Sequence, residues 1–395
     1  MNNSKREFIK KVGLLGGVGM LAAMPSANGG EIQVGATNSS IFNVKDFGAK
    51  GDGQTPDSDA IQKALDVAGK VHGTAYFPSG NYLCHDLRVS PHTTVLAEPQ
   101  WAYGPYAGAV LTIDSEDADC VLNISEAYGC HIRGVFLRGN DNAKKIQHGI
   151  FHNHPVEFTK RENSPVIDEV SIRQFSGHGI YLLRIWLFII RHSIFMSNRG
   201  HGVCIHGWDG FVTDNQFSGN GRSGFASEVN GSTVMFTANR VEWNREYGLH
   251  LAGGDTWNVT GNCFDRNWGA AICANGVRNS TFTGNILRRN GKDSSKLSEG
   301  LDESCQMLIK SCRGISVTGN TGAAGRDDGG QGTYTPNYAF WLKDNACSIV
   351  TANAFWNGYL KEMILDKGGN KPDFLINNNV GAVYQEPRMQ PRHEE

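Results

Sequence analysis

The chain lacks any segment approaching the roughly 20 consecutive apolar residues of a membrane span; the run LLRIWLFII at 182–190 is nine residues long and carries Arg184. It also lacks a charge excess. With Lys+Arg 37 against Asp+Glu 39 the net charge is −2 and charged residues make up only 19%, so no basic field speaks for nucleic acid as a partner. There is no CxxC pair. The nine cysteines (Cys84, Cys120, Cys130, Cys204, Cys263, Cys273, Cys305, Cys312 and Cys347) therefore give no zinc spacing and are expected to fill interiors as small apolar residues, with an isolated disulfide such as Cys305 with Cys312 left open. Helix-period patterning is missing over most of the chain, as is the regular Leu spacing of a leucine-rich solenoid.

What is present is a repeat. Segments beginning at Gly179, Gly202, Gly224, Gly248 and Gly269 restart after 23, 22, 24 and 21 residues. Each holds three short apolar β-type runs separated by Gly and Asn, too little to bury its own face, so neighbours must stack. The expected fold class is all-β: a right-handed parallel β-helix, with a capping helix at its N-terminal end. A length prior of about 150 residues per domain would give two or three domains, but a solenoid grows by adding coils to one core. Domains are therefore set at 1–30 (export signal), 31–385 (one β-helix, with 41–83 as cap region) and 386–395 (tail). A polar residue recurs once per coil at His192, Asn215, Asn239, Asn262, Asn285, Asn320 and Asn353. Asn tolerates the left-handed backbone region and bonds through its amide, which predicts a stacked asparagine ladder.

The first thirty residues read as an export signal. Lys5, Arg6, Lys10 and Lys11 precede the weakly apolar VGLLGGVGMLAAM and then PSANGG, too short to span a membrane. SKREFIKK is similar to a twin-arginine signal with Lys for the first Arg. A periplasmic or extracellular location follows as the expectation. Residues 41–83 run from a short strand (IFNV) through a Gly/Asp loop into an amphipathic helix with Ile61, Ala64, Leu65 and Ala68 on one face, then the strand TAYF. A helix there would cover the open edge of the first coil. FNVKDFGAKGDG, DAIQKAL and FPSGNYL resemble the entry region of the pectate-lyase superfamily, and that resemblance implies a β-helix with a carbohydrate-facing role and a poly- or oligosaccharide substrate. A homo-oligomer, such as a trimer, is an allowed assembly. Longer spacings between ladder positions, 285 to 320 and 320 to 353, mark insertions at 291–305 and 322–337, beside one at 152–165; such loops commonly wall a groove.

Strand alternation selects a site. If Ile180, Val203, Phe225 and Leu249 point inward, Tyr181, His206, Glu228 and His250 point outward. His206 and Glu228 then share one column in adjacent coils, about 4.8 Å apart. Trp208, Asp209 and Asp255 follow in the next turns, and a one-residue slip would turn His206 and Glu228 inward. The reading assigns Glu228, Asp214, Asp209 and His206 to catalysis and Trp208, Tyr181, His250, Asp255, Glu242 and Arg222 to substrate binding. It assigns no metal ligand and no cofactor, with Ca2+ reserved for a lyase that could use Asp327 and Asp328.

Glycosidic bond cleavage needs an acid and a second carboxylate, about 5 to 5.5 Å apart for retention or about 6.5 to 9.5 Å for inversion, which Glu228 with Asp214, Asp209 or Glu242 would supply. WDGFVTDNQF followed by FASEVNG is similar to a stretch of inulin fructotransferases, and that resemblance places the catalytic roles on Asp214 and Glu228. The chain departs from polygalacturonases: GHG at 177–179 and 200–202 lacks the accompanying acidic elements and is read as scaffold. The expected activity is cleavage or transfer of glycosidic bonds. The alternatives are a polysaccharide lyase acting beside a uronate, with His206 or His250 and Tyr181 as its groups, and a non-catalytic glycan-binding adhesin.

Overall fold

The computed structural model describes residues 40–98, 102–104, 107–153, 162–292, 304–326 and 328–385. The predicted export signal, the tail from 386, Asp327 and parts of the three insertions lie outside the described residues.

The repeat is a register. Val203 pairs with Phe225, Phe225 with Leu249 and Leu249 with Ile272, each in parallel and each one coil on. Three faces result, exemplified within one stretch of chain by Gln216–Ser218 on the third face, Phe225–Ser227 on the first and Ser232–Thr237 on the second. The first and second faces belong to one 22-stranded sheet and the third to a 13-stranded sheet. The first two are joined because Ile180–Arg191 and Val203–Thr213 turn the corner without a break, helped by left-handed backbone at Arg184 and Asp209. The molecule is a right-handed parallel β-helix.

The predicted strand phase holds: Ile180, Val203, Phe225 and Leu249 are fully buried. Inside, Phe195, Phe217, Phe236 and Phe264 stack coil on coil at ring separations of 5.1, 6.0 and 6.4 Å. Helix α1 (Ser58–Lys70) buries Ile61, Ala64, Leu65 and Ala68, the predicted face, against the first coils.

The ladder differs from expectation in two respects. Ser193, not His192, holds the first rung, because the Ser193 amide donates to Asn215 Oδ1 while exposed His192 turns outward to Asp168 at 2.9 Å. The left-handed residue is the one before each Asn, namely Asp214, Ala238, Gly261, Gly284, Gly319 and Ala352. The Asn itself is buried and bonds both to the next Asn and to a strand carbonyl, as in Asn262 Nδ2 to Asn285 Oδ1 and to Phe236 O, both 2.9 Å. A second ladder, Asn198, Asn220, Asn244, Asn267 and Asn290, runs along the corner between the third and first faces. These five Asn recur at the same period as the repeat, so the signal for a second ladder is in the sequence.

All nine cysteines are free, so Cys305 and Cys312 are not bridged. Cys84, Cys130 and Cys312 lie in the main core as expected. Cys273 and Cys305 instead join a second apolar cluster with Tyr247, Leu308 and Trp341, on outward positions of the first face.

Candidate active site

On the first face the outward residues form columns. Tyr181, Cys204, Ala226 and His250 are successive partners, and Leu183 pairs with His206 in a parallel column two residues on. Glu228 follows Ser227, which pairs with Ile205, and so stands beside His206 as the alternation predicted.

The Glu228 carboxylate reaches toward the corner that precedes these strands. There it accepts from His201 Nε2 at 3.0 Å and from Arg222 Nη1 at 2.7 Å. Arg222 also lies 3.5 Å from Glu246, which accepts from Ser223 Oγ at 2.9 Å. These donors, led by the His201 hydrogen bond, overcome partial burial and hold the Glu228 carboxyl at a pKa of about 2. It is a carboxylate throughout the working range of most enzymes.

His201 was read as scaffold within a GHG string, and it is both scaffold and site. His148, His178 and His201 stack at ring separations of 5.2 and 5.1 Å. Nδ1 of each accepts a backbone amide from the next coil: His178 N to His148, His201 N to His178 and Ser223 N to His201. With Nδ1 accepting the Ser223 amide, Nε2 is the nitrogen that donates to Glu228. Burial drives the His148 pKa down to about 4 and that of His178 to about 2, so those two rings are neutral. The missed signal was an HG at 148–149 ahead of the two GHG copies.

Tyr181 packs over this column, 4.8 Å from the His178 ring and 5.0 Å from His148, and meets His206 edge-on at 6.2 Å. Burial raises its pKa, keeping the phenol protonated. His206 and His250 are both shifted down by burial, which outweighs the nearby carboxylates. His206 Nε2 and His250 Nδ1 are enclosed without hydrogen-bond partners. That leaves His206 Nδ1 and His250 Nε2 as the ring nitrogens able to meet a ligand. Tyr181, His206, Arg222, Glu228 and His250, with His201, Cys204 and Glu246, thus make one cluster of neutral bases, a phenol and paired ions.

The remaining predicted residues lie elsewhere. Asp209 accepts from Trp186 Nε1 at 2.9 Å around the corner on the second face, where it lines a pocket of about 420 Å3 with Glu162, Trp186, Phe211 and Met235. Trp208 is half-buried at the same corner, paired with Trp186 and Ser232. Asp214 is exposed in the turn after Thr213 and bonded to its hydroxyl, eight residues past His206 along one strand, a path of roughly 25 Å. Asp255 joins Ser232 and Arg278 in the turn between first and second faces. Glu242 is buried on the third face, holding Gln216 and Arg240 at 3.0 Å. None of these carboxylates contacts Glu228, so the pairs predicted from the sequence are not brought together; the carboxylate that shares Arg222 with Glu228 is Glu246.

Among the described residues one set could ligate a metal: His201, Cys204 and Glu228 offer atoms within 4.8 Å of one another. One nitrogen, one sulfur and one carboxylate do not make the all-oxygen shell that calcium requires, and Arg222 already occupies the carboxylate.

A family model described as the right handed beta helix region matches residues 107–287 and 158–380. The chain belongs to the right-handed β-helix family. A second model, rhamnogalacturonase A/epimerase, pectate lyase-like, matches residues 41–97, the cap region whose motifs carried the resemblance. Alginate lyase 7 of Azotobacter vinelandii is 31% identical over 196 residues, covering 47% of this chain and 23% of that protein. Mannuronan C5-epimerase AlgE4 of the same organism is 32% identical over 189 residues, covering 44% and 32%. The chain thus spans a third or less of these relatives. Among solved structures, the AlgE6 A-module of A. vinelandii superposes with a TM-score of 0.62 at 19% identity over 87% of this chain and 100% of that one. PfbA, a surface adhesin of Streptococcus pneumoniae, does so with 0.68 at 16% over 87% and 92%. At these identities the superpositions establish the fold.

Proposed function

We propose that this protein is an exported enzyme acting on a uronate-containing polysaccharide by removing the proton beside the sugar carboxylate, as a lyase or a C5-epimerase. The observation that carries the reading is the state of the site groups: Glu228 is held ionised by His201 and Arg222 while His206 stays neutral with a nitrogen open to a ligand. A glycosidase needs a carboxylic acid protonated near neutral pH beside an ionised carboxylate, and Glu228 can fill only the second of these roles. Neutral imidazole is the form that accepts a proton. The named relatives, an alginate lyase and mannuronan C5-epimerases, support the same substrate class.

In this reading His206 Nδ1 takes the C5 proton, and the electron pair of the broken C–H bond moves into the adjoining carboxylate. Arg222 exchanges one of its bonds to Glu228 or Glu246 for a bond to that carboxylate and stabilises the added charge. Glu228 keeps its contact with His201 in either case and holds the ring column in place. Collapse takes one of two routes. Return of a proton from water to the opposite face of C5, with the proton on His206 passing to the hydroxide left behind, inverts the centre, whereas loss of the C4 oxygen, which takes its proton from the Tyr181 phenol, leaves a C4=C5 double bond.

The test is incubation with polymannuronate in D2O. The expected result is deuterium at C5, an ultraviolet-absorbing unsaturated end, or both. New reducing ends without unsaturation or deuterium would restore the hydrolase, and binding without any product would favour the adhesin.

A further inference from the structure

Beyond the reacting centre, one corner of the solenoid carries cations at the coil period. Arg199, Arg222, Arg245, Trp268 and Lys292 follow one another by 23, 23, 23 and 24 residues. Each comes directly after a rung of the second asparagine ladder or one glycine beyond it: Asn198-Arg199, Asn220-Gly221-Arg222, Asn244-Arg245, Asn267-Trp268 and Asn290-Gly291-Lys292. The ladder fixes the backbone beneath them, with Arg245 N bonded to Asn220 O and Trp268 N to Asn244 O, both 2.9 Å. Successive members therefore rise by about one strand spacing, roughly 4.8 Å.

Their charges are unequally used. Arg222 is the member committed to Glu228 and Glu246. The exposed Arg199 guanidinium donates to the neutral Asn142 side-chain carbonyl at 2.9 Å. Exposed Arg245 lies 5.4 Å over the Trp268 ring, and Lys292 lies 5.5 Å from the same ring. Held against the indole face, the Arg245 guanidinium keeps its position while its charge stays available. Neither Arg199 nor Arg245 forms an ion pair among the described residues. The row passes beside the active site, since Arg222 belongs to both.

We propose that this corner is a binding rail for an extended polyuronate lying parallel to the solenoid axis. Arg222 holds the carboxylate of the reacting sugar, and Arg199, Arg245 and Lys292 hold carboxylates of sugars on either side. The rise per coil is of the same order as the length of one sugar residue, so charges on the rail and on the chain stay in step over several units. Contacts linked in this way multiply, and affinity then grows with chain length. The substrate class rests on the function proposed above; the rail is tested by binding alone.

The experiment is calorimetric titration of the full chain with mannuronate oligomers of graded length, in a His206→Asn background so that ligand persists. Affinity is expected to climb with length in that background. In R199Q/R245Q/K292Q the climb is expected to flatten, with a loss of about tenfold for the longest oligomer and much less for a dimer. R245Q alone should show an intermediate loss, and R245K should recover most of it. Arg288→Gln, an exposed cation on the third face, serves as the control for net charge. The rail is overturned if the triple variant binds long oligomers as well as its parent, if R288Q costs as much, or if neutral dextran binds as tightly. Length-dependent binding without turnover would leave the rail standing and remove the proposed chemistry.

Discussion

Two corners of the same coils are built by the same device and end differently. At the corner between the second and third faces, buried carboxamides run from Asn215 to Asn353, and each finds its amide and carbonyl partners. At the corner between the third and first faces a second carboxamide ladder does the same work. Next to it, however, the column His148, His178 and His201 takes over backbone amides with Nδ1 and leaves Nε2 of His201 for Glu228. The first corner spends all its polar groups on itself. The second uses imidazole where amide would suffice, and the surplus nitrogen reaches a carboxylate. The proposed chemistry therefore falls where the scaffold is satisfied by a group with a second functional atom.

The comparison breaks most sharply at the site. His206→Asn should leave the fold intact, because His206 is outward and half-buried, while lowering deuterium exchange on polymannuronate by about 10^2 to 10^4. Circular dichroism melting of the same sample separates lost chemistry from lost fold. At the closed corner the effects exchange. Asn262→Ala strands the Asn239 amide and the Phe236 carbonyl and should cost about 3 kcal/mol of stability, read as a lower denaturant midpoint, while activity per folded molecule holds.

The histidine column gives a pH signature that the carboxamide ladder lacks. The folded-state pKa of His148 is lowered from 6.5 to about 4 by burial, so below pH 6.5 the unfolded chain binds the proton more readily. Its contribution is full above pH 6.5 and is lost as pH falls toward 4, about 3 kcal/mol at most across that window. His148→Asn, which keeps an acceptor for the His178 amide, should flatten this part of the stability profile. Glu228 acts lower: its depressed pKa means stability present above its unfolded value near 4.5 and lost as pH falls toward 2. Midpoints followed from pH 7 to 3 in wild type, H148N and E228Q resolve the two windows.

Much of this was legible in the sequence, for physical reasons that also mark where legibility ended. Period and strand phase could be read because every coil repeats the same burial problem, so Ile180, Val203, Phe225 and Leu249 announce the inside and Tyr181, His206 and Glu228 the outside. The His192 rung was misread by one residue, since Ser193 supplies a hydroxyl that performs the amide's task with different spelling. Side-chain reach was the larger gap. Glu228 could be placed beside His206 by counting, but its carboxylate is drawn back to His201 and Arg222 by charge and hydrogen bonding across a corner, which alternation does not encode. Asp209 joins Glu228 in the sequence reading as a turn residue after the outward strand, and Asp214 through the inulin fructotransferase resemblance, whereas the continuous strand Val203–Thr213 carries both onto another face.

That last separation supplies the smallest and most discriminating effect. If cleavage used a carboxylate pair, Asp209→Asn and Asp214→Asn would each remove one of its members and activity would fall by orders of magnitude. In the structure Asp209 serves Trp186, and Asp214 is an exposed turn residue bonded to Thr213; Asp214 also has its backbone in the left-handed region that Asn tolerates equally. Both substitutions keep the local geometry and remove only charge. The expected change in turnover on polymannuronate is within about twofold for D214N, a surface substitution far from the chemistry, with D209N showing at most a small rise in KM if sugars also visit the second-face pocket. A collapse of turnover in either variant, with melting unchanged, would relocate the chemistry from the histidine corner to the second face.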